Sequence, residues 1–176
     1  MQDIILRRRS CRKYLEKDIP DETIRKVLLS AISAPGGRPS VPGSQGFRAI
    51  VVRDTGVKEK LALHYDDRQF VKTAPVVIAC LADTTTDPKY KEHEISCALA
   101  IQNLLLSAES HNLGACFITC FLKHKDRAEQ KQILRTALGL TESLALVALV
   151  TLGFKDPTEK IEPKIMPSYD DIVSVL

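Results

Sequence analysis

The run Cys97-Ala98-Leu99-Ala100-Ile101 lies in the middle of a helical stretch, Tyr90 to His111, and winding it as a helix leaves it apolar on nearly every side. A helix of that kind has no face to give to water, so it belongs inside a large core or in a subunit interface. The chain has the material for such a core. Its 176 residues are 44% hydrophobic, enough to fold as a single domain spanning residues 1–176.

The other elements are set by period and punctuation. Ile24, Val27, Leu28, Ala31 and Ile32 recur at helical spacing after Pro20-Asp21, with Asp21 expected as the N-cap. That helix ends at Ala34-Pro35. The next twelve residues, Pro35 to Gly46, hold three prolines and four glycines and predict an irregular loop. Loops of that length in a compact domain are usually functional. Strands are expected at Arg48–Arg53, Val76–Ala82, Ala115–Phe121 and Ala145–Phe154, and further helices at Val57–His64 and Asp126–Leu138. Asn112-Leu113-Gly114 and Gly139 read as helix stops. Residues 155–176, with three prolines and many charges, form a tail. Long helices flanking short apolar strands predict a three-layer α-β-α sandwich of the α+β class. Neither GxGxxG after a strand nor GxxxxGK[ST] occurs, which disfavours a Rossmann or P-loop fold.

Five of the seven residues from Arg7 to Lys13 are cationic. Guanidinium forks take phosphate oxygens in bidentate fashion, and Ser10 places a hydroxyl between them, so the segment is suited to hold a phosphate without a glycine-rich loop. By itself the run is equally consistent with a solvated basic turn or a nonspecific nucleic-acid patch. The whole chain balances 25 basic against 22 acidic residues, far from the footprint of a dedicated nucleic-acid binder. The expectation is therefore a local partner, with no nucleic acid and no membrane involved. No signal-peptide h-region is recognisable, and the longest apolar runs, Cys97 to Leu106 and Leu144 to Phe154, fall short of the ~20 residues of a spanning helix. A cytoplasmic location is expected. There the five cysteines stay reduced. The histidines show no ligand spacing with them, so no metal site is expected.

In sequence order, four segments together resemble the nitroreductase family of FMN-dependent oxidoreductases, along almost the whole chain. The first is Arg8, Ser10 and Arg12, with Arg9 inside it, similar to the family's Arg-x-Ser-x-Arg/Lys element. Next comes Pro39-Ser40-Val41-Pro42-Gly43-Ser44-Gln45-Gly46-Phe47 before a strand, similar to the family loop Pro-Ser-x-x-Asn-x-Gln-Pro-Trp but with Gly43, Gly46 and Phe47 at its Asn, Pro and Trp. The third is the long helix with Gln102-Asn103, then Leu113-Gly114 and the strand reaching Ile118-Thr119-Cys120. The fourth is a basic, proline-containing segment, Lys160 to Asp171, with Lys164 as the phosphate candidate.

The resemblance implies a mixed, mostly antiparallel sheet flanked by helices, and a homodimer with its C-terminal tail exchanged and FMN sites at the interface. Arg8, Arg9, Ser10, Arg12 and Lys164 would hold the phosphate side of FMN. Pro39, Ser40, Val41 and Gly43 would contact the flavin, and Ile118, Thr119 and Cys120 would lie beside its ring, Cys120 offering a backbone N–H. NADH or NADPH would donate the hydride, and a small nitro, quinone or other conjugated molecule would accept electrons. A flavin protein of the same fold with a specialised role, in flavin fragmentation, dehalogenation or carriage, is the alternative.

Overall fold

The computed structural model describes residues 2–37, 46–62, 68–87, 89, 92–120, 128–162 and 164–174, with the backbone alone given for 128–131. Its elements run α1 (Gln2–Arg7), α2 (Asp21–Ile32), β1 (Phe47–Val52), α3 (Thr55–Ala62), α4 (Phe70–Thr73), β2 (Val76–Asp83), α5 (His93–Ser110), β3 (Leu113–Thr119), α6 (Ala128–Ala137), β4 (Leu144–Phe154) and α7 (Tyr169–Ile172).

The four strands form one antiparallel sheet in the order β1-β2-β4-β3. Because strand side chains alternate between faces, β2 serves two cores at once. Val76, Ile78, Cys80 and Ala82 pack under α2 and α5, whereas Val77, Ala79 and Leu81 meet Leu61 of α3, Val71 of α4 and Leu134 of α6. Those two cores on a shared sheet make the expected α+β three-layer sandwich. The one parallel pairing among the described residues is the bridge Ser10↔Ala115, which lays the N-terminal segment along the free edge of β3.

Helix α5 departs from all-round burial. Its sheet-facing side is enclosed, with Cys97, Ala100, Ile101 and Leu104 nearly inaccessible, but Ile95 is 60% and Leu99 43% exposed in the single chain. Asp21 is not the N-cap of α2; Pro20 holds that position, and Asp21 lies in the first turn, where its carboxylate takes the Arg53 guanidinium at 2.7 Å. A carboxylate there also faces the positive end of the helix dipole. The helix stops are as read: Asn112 takes φ 58° after α5 and Gly139 φ 63° after α6. Three short helices, α1, α4 and α7, had no sequence signal beyond their charge or neighbourhood, since four to six residues are too few for a period to show.

Two glycines seat residues 10–15 on the sheet. A Cβ at Gly114 would fall 2.4 Å from Cys11 Sγ, and one at Gly153 would fall 2.6 Å from the Tyr14 ring. With the glycines in place, Cys11 N–H donates to Ala115 O at 3.0 Å and Leu15 N–H to Phe154 O at 3.0 Å. The Tyr14 hydroxyl donates to Cys11 O at 2.5 Å and lies 2.6 Å from Thr151 Oγ1. We expect Gly153→Ala to destabilise the fold by about 1–3 kcal/mol, the usual cost of overpacking. Urea unfolding measures it, and an unchanged midpoint would mean that Tyr14 can leave its seat at no cost.

Candidate functional site

The basic run is divided by its own backbone. Arg7 closes α1, the Arg8 N–H still donates to Ile4 O at 3.1 Å, and the chain reaches the sheet edge at Ser10. Arg7 Nε lies 3.2 Å from Glu109 Oε1, and Arg9 Nη1 folds back to Leu6 O at 2.7 Å and Arg8 O at 2.9 Å. Glu109 is itself buried and receives Lys155 Nζ at 2.8 and 2.9 Å, so Arg7 and Lys155 together neutralise one enclosed carboxylate. Arg7 and Arg9 thus both have partners within the chain.

Arg8, Ser10 and Arg12 remain. The Arg8 and Arg12 guanidiniums make no ion pair among the described residues, and Arg12 lies over the Phe70 ring at 5.9 Å from its centroid. The Cys116 thiol registers what surrounds this spot. Burial pushes it up, and Arg12, a hydrogen bond with Ser10, and Arg68 pull it part of the way back. Ser10 and Arg12 thus lie by this thiol of β3, and Arg68 is close enough to act on it through its charge. Arg68 was missed by sequence reasoning; it sits in Asp66-Asp67-Arg68-Gln69 with no spacing that would single it out.

At the end of β3 the expected residues separate by role. Ile118 is buried in the core under α3 and α6, and Thr119 is exposed. The N–H of Cys120 does not fit its expected role as a donor to flavin: it already donates to Val147 O at 2.9 Å, because the ladder with β4 continues one residue past the strand. The expected loop residues Pro39, Ser40, Val41 and Gly43 lie outside the described residues. Gly46, where the chain re-enters the sheet, accepts the Asp83 N–H at 2.7 Å and has φ 66°. A Cβ there would fall 2.5 Å from Asp83 O and 2.8 Å from His93 Nδ1, so the glycine is needed both for its backbone angle and for space.

Lys164 is exposed and makes no hydrogen bond or ion pair among the described residues. The tail meets the basic segment earlier, at a turn closed by Asp156 Oδ1, which accepts from Thr158 N–H and Oγ1 at 2.7 Å each. From this turn Glu159 Oε1 accepts the Arg12 N–H at 2.7 Å, Asp156 Oδ2 lies 3.4 Å from Lys13 Nζ, and Lys13 also bonds Thr158 Oγ1. The cavity between α1, α2 and α5, about 360 Å³ and lined by Ser30, Asn103, Ser107 and His111 among others, includes none of Arg8, Ser10 or Arg12. In the single chain the basic site is an open edge.

With this geometry in hand, comparison with known proteins places the chain in a family. A Nitroreductase family model matches residues 5–68 and 63–154, and the chain belongs to that family. A candidate NADH dehydrogenase/NAD(P)H nitroreductase from Archaeoglobus fulgidus is 30% identical over 86% of this chain and 83% of its own length. An NADH dehydrogenase from Thermus thermophilus is 36% identical over 90% of this chain and 87% of its own. Among solved structures, a candidate nitroreductase from Desulfovibrio desulfuricans in complex with FMN superposes with a TM-score of 0.81 at 26% identity, covering 99% of this chain and 96% of that one.

All five cysteines are free and buried. The thiols of Cys11 and Cys97 are both pushed up to about 12 from 9.0, chiefly by burial, with Glu159 and Glu94 respectively adding to it. The folded chain therefore holds these protons more tightly than the unfolded one. Their contribution to stability is complete below pH 9 and declines as pH rises from 9 toward 12. Urea midpoints should accordingly fall between pH 8.5 and 10.5, and Cys97→Ala should flatten that fall; equal slopes in the two proteins would contradict the assignment.

Proposed function

We propose that the chain is an FMN-dependent oxidoreductase that takes hydride from NADH or NADPH and passes electrons to a small nitro, quinone or other conjugated acceptor. The observation that carries this reading is the sorting of the basic run: Arg7 and Arg9 bond within the chain, whereas the Arg8 and Arg12 guanidiniums, with Ser10 between them, make no ion pair among the described residues. A phosphate monoester fits that donor set. It is a dianion with three acceptor oxygens, and two planar forks and a hydroxyl supply complementary donors. When bound, FMN would supply the redox chemistry, accepting hydride at N5 and returning electrons to the acceptor.

The chain's own part is to bind and orient. Arg8 and Arg12 hold the phosphate side, Ser10 donates between them, and Arg9 stiffens the segment by tying it to α1. Arg12 and Arg68 add positive potential at the sheet edge, which favours the charge gained on reduction. Pro39, Ser40, Val41 and Gly43 contact the flavin from the loop, and Thr119 and Cys120 line the strand end with Ile118 packed beneath them. Lys164 closes on the phosphate from the tail.

The same reading takes the protein as a single-domain cytoplasmic homodimer with its tail exchanged between subunits. Two apolar surfaces support this. One is the outer side of α5 with Ile95 and Leu99; the other is the tail, where Ile165 is 95%, Met166 56% and Ile172 68% exposed. No described helix is long and apolar enough to cross a membrane.

The test is an absorbance spectrum of the purified protein after FMN addition and desalting, then anaerobic NADH or NADPH. Retained flavin that bleaches and recovers its colour with a nitro or quinone acceptor is the expected result; flavin that stays oxidised would overturn the enzymatic reading. Arg8→Ala or Arg12→Ala should weaken FMN binding by about 1.5–3 kcal/mol, the worth of a charge-assisted hydrogen bond. Unchanged affinity in both variants would remove the phosphate from this segment.

A further inference from the structure

Residues 10–14 form an extra ribbon on the free edge of β3, and a ribbon at an edge has one row of bonding groups toward the sheet and one row away from it. Cys11 N–H faces the sheet and is taken by Ala115 O at 3.0 Å. The N–H of the next residue, Arg12, faces outward, where only water or another segment can satisfy it. Glu159 fills that place: its Oε1 accepts the Arg12 N–H at 2.7 Å across 147 positions of sequence. The same turn of the tail holds the neighbouring residue from both sides. Lys13 O accepts the Asp156 N–H at 3.2 Å, and Lys13 Nζ bonds Thr158 and pairs with Asp156.

We propose that Glu159 is a positioning residue for the phosphate grip, fixing the main chain at Arg12 so that the guanidinium is presented at the sheet edge over Phe70. This rests on the reading that Arg8, Ser10 and Arg12 hold the FMN phosphate. A carboxylate this close to an anion grip repels the very group the site is to bind. What it contributes is an acceptor oxygen at the right distance, and a guanidinium held in place loses less freedom when it binds. Glutamate's charge and its acceptor oxygen therefore act on phosphate affinity in opposite directions, and substitution separates them.

The experiment compares FMN and riboflavin affinities of the wild-type protein, Glu159→Ala, Glu159→Asp and Glu159→Gln by flavin fluorescence. Thermal midpoints are measured on the same samples. We expect the Ala variant to lose about tenfold in FMN affinity with little change toward riboflavin, which has no phosphate. The Gln variant keeps an acceptor oxygen and sheds the charge, so it should bind FMN at least as tightly as wild type. The Asp variant, one methylene short, should fall between wild type and Ala, and it carries the test if the Ala variant does not fold. Wild-type-like FMN affinity in Ala and Asp, a loss in Gln as large as in Ala, or parallel losses for riboflavin would overturn the proposal. A wild-type protein that holds FMN no better than riboflavin would instead overturn the phosphate reading, and the positioning role with it.

Discussion

Everything at the sheet edge depends on how closely residues 10–15 lie against β3 and β4. Gly114 leaves room for the Cys11 thiol and Gly153 for the Tyr14 ring, at approaches no side-chain carbon would permit. Once seated, the ribbon draws in its neighbours. The Tyr14 hydroxyl bridges Cys11 O and Thr151, the tail turn lies along the outer side, and Glu109 gathers Arg7 and Lys155 at the end of α5. The arginines are thereby placed on a framework of short contacts rather than on a loose terminus, even though the segment carrying them is irregular.

How the basic run is used follows from the same seating. The run leaves α1 at Arg7 and meets the sheet edge at Ser10, so its like charges come into different surroundings. Arg7 and Arg9 turn to a buried carboxylate and to carbonyls at the end of α1, and Arg12 lies over the Phe70 ring at the sheet edge. The plain reading of such a run as structural charge accounts for Arg7 and Arg9; for the Arg8 and Arg12 guanidiniums, which make no ion pair among the described residues, it names no partner. Arginine suits both, since its fork serves carbonyl oxygens as readily as an external anion.

The layers were legible in the sequence because they rest on long periodic signals. The doubly buried strand at Val76 and the helix stops at Asn112 and Gly139 all stand where spacing and turn chemistry put them. The short helices were not legible, being too brief for a period, and Asp21 reads as a cap because Pro20 before it hides the true boundary. Of the site, the alternation Arg8, Ser10, Arg12 could be read, helped by resemblance. Arg68 and Glu159 could not, because each acquires its place only through pairing with residues far away along the chain. The engagement of the Cys120 N–H was hidden for the same reason: the expected strand Ala115–Phe121 includes this residue, but only the register with β4 shows that its N–H meets Val147 O.

The buried carboxylate of Glu109 and the ribbon beside it also bear on how the molecule is made. Residues from the first fifteen positions are completed by partners at 109–115 and again at 151–159, so the sheet edge joins the beginning of the chain to its last strand. Contacts of such long separation carry a large loop-closure cost and form late. During synthesis on the ribosome, the N-terminal arginines emerge first; Glu109 and the edge of β3 follow, and the seat for Tyr14 and the Glu159 contact are complete only once β4 and the turn after it have left the exit tunnel. The segment proposed to grip the anion is therefore completed late, and a chain truncated before Gly153 would carry Arg8, Ser10 and Arg12 with only the β3 half of their seat.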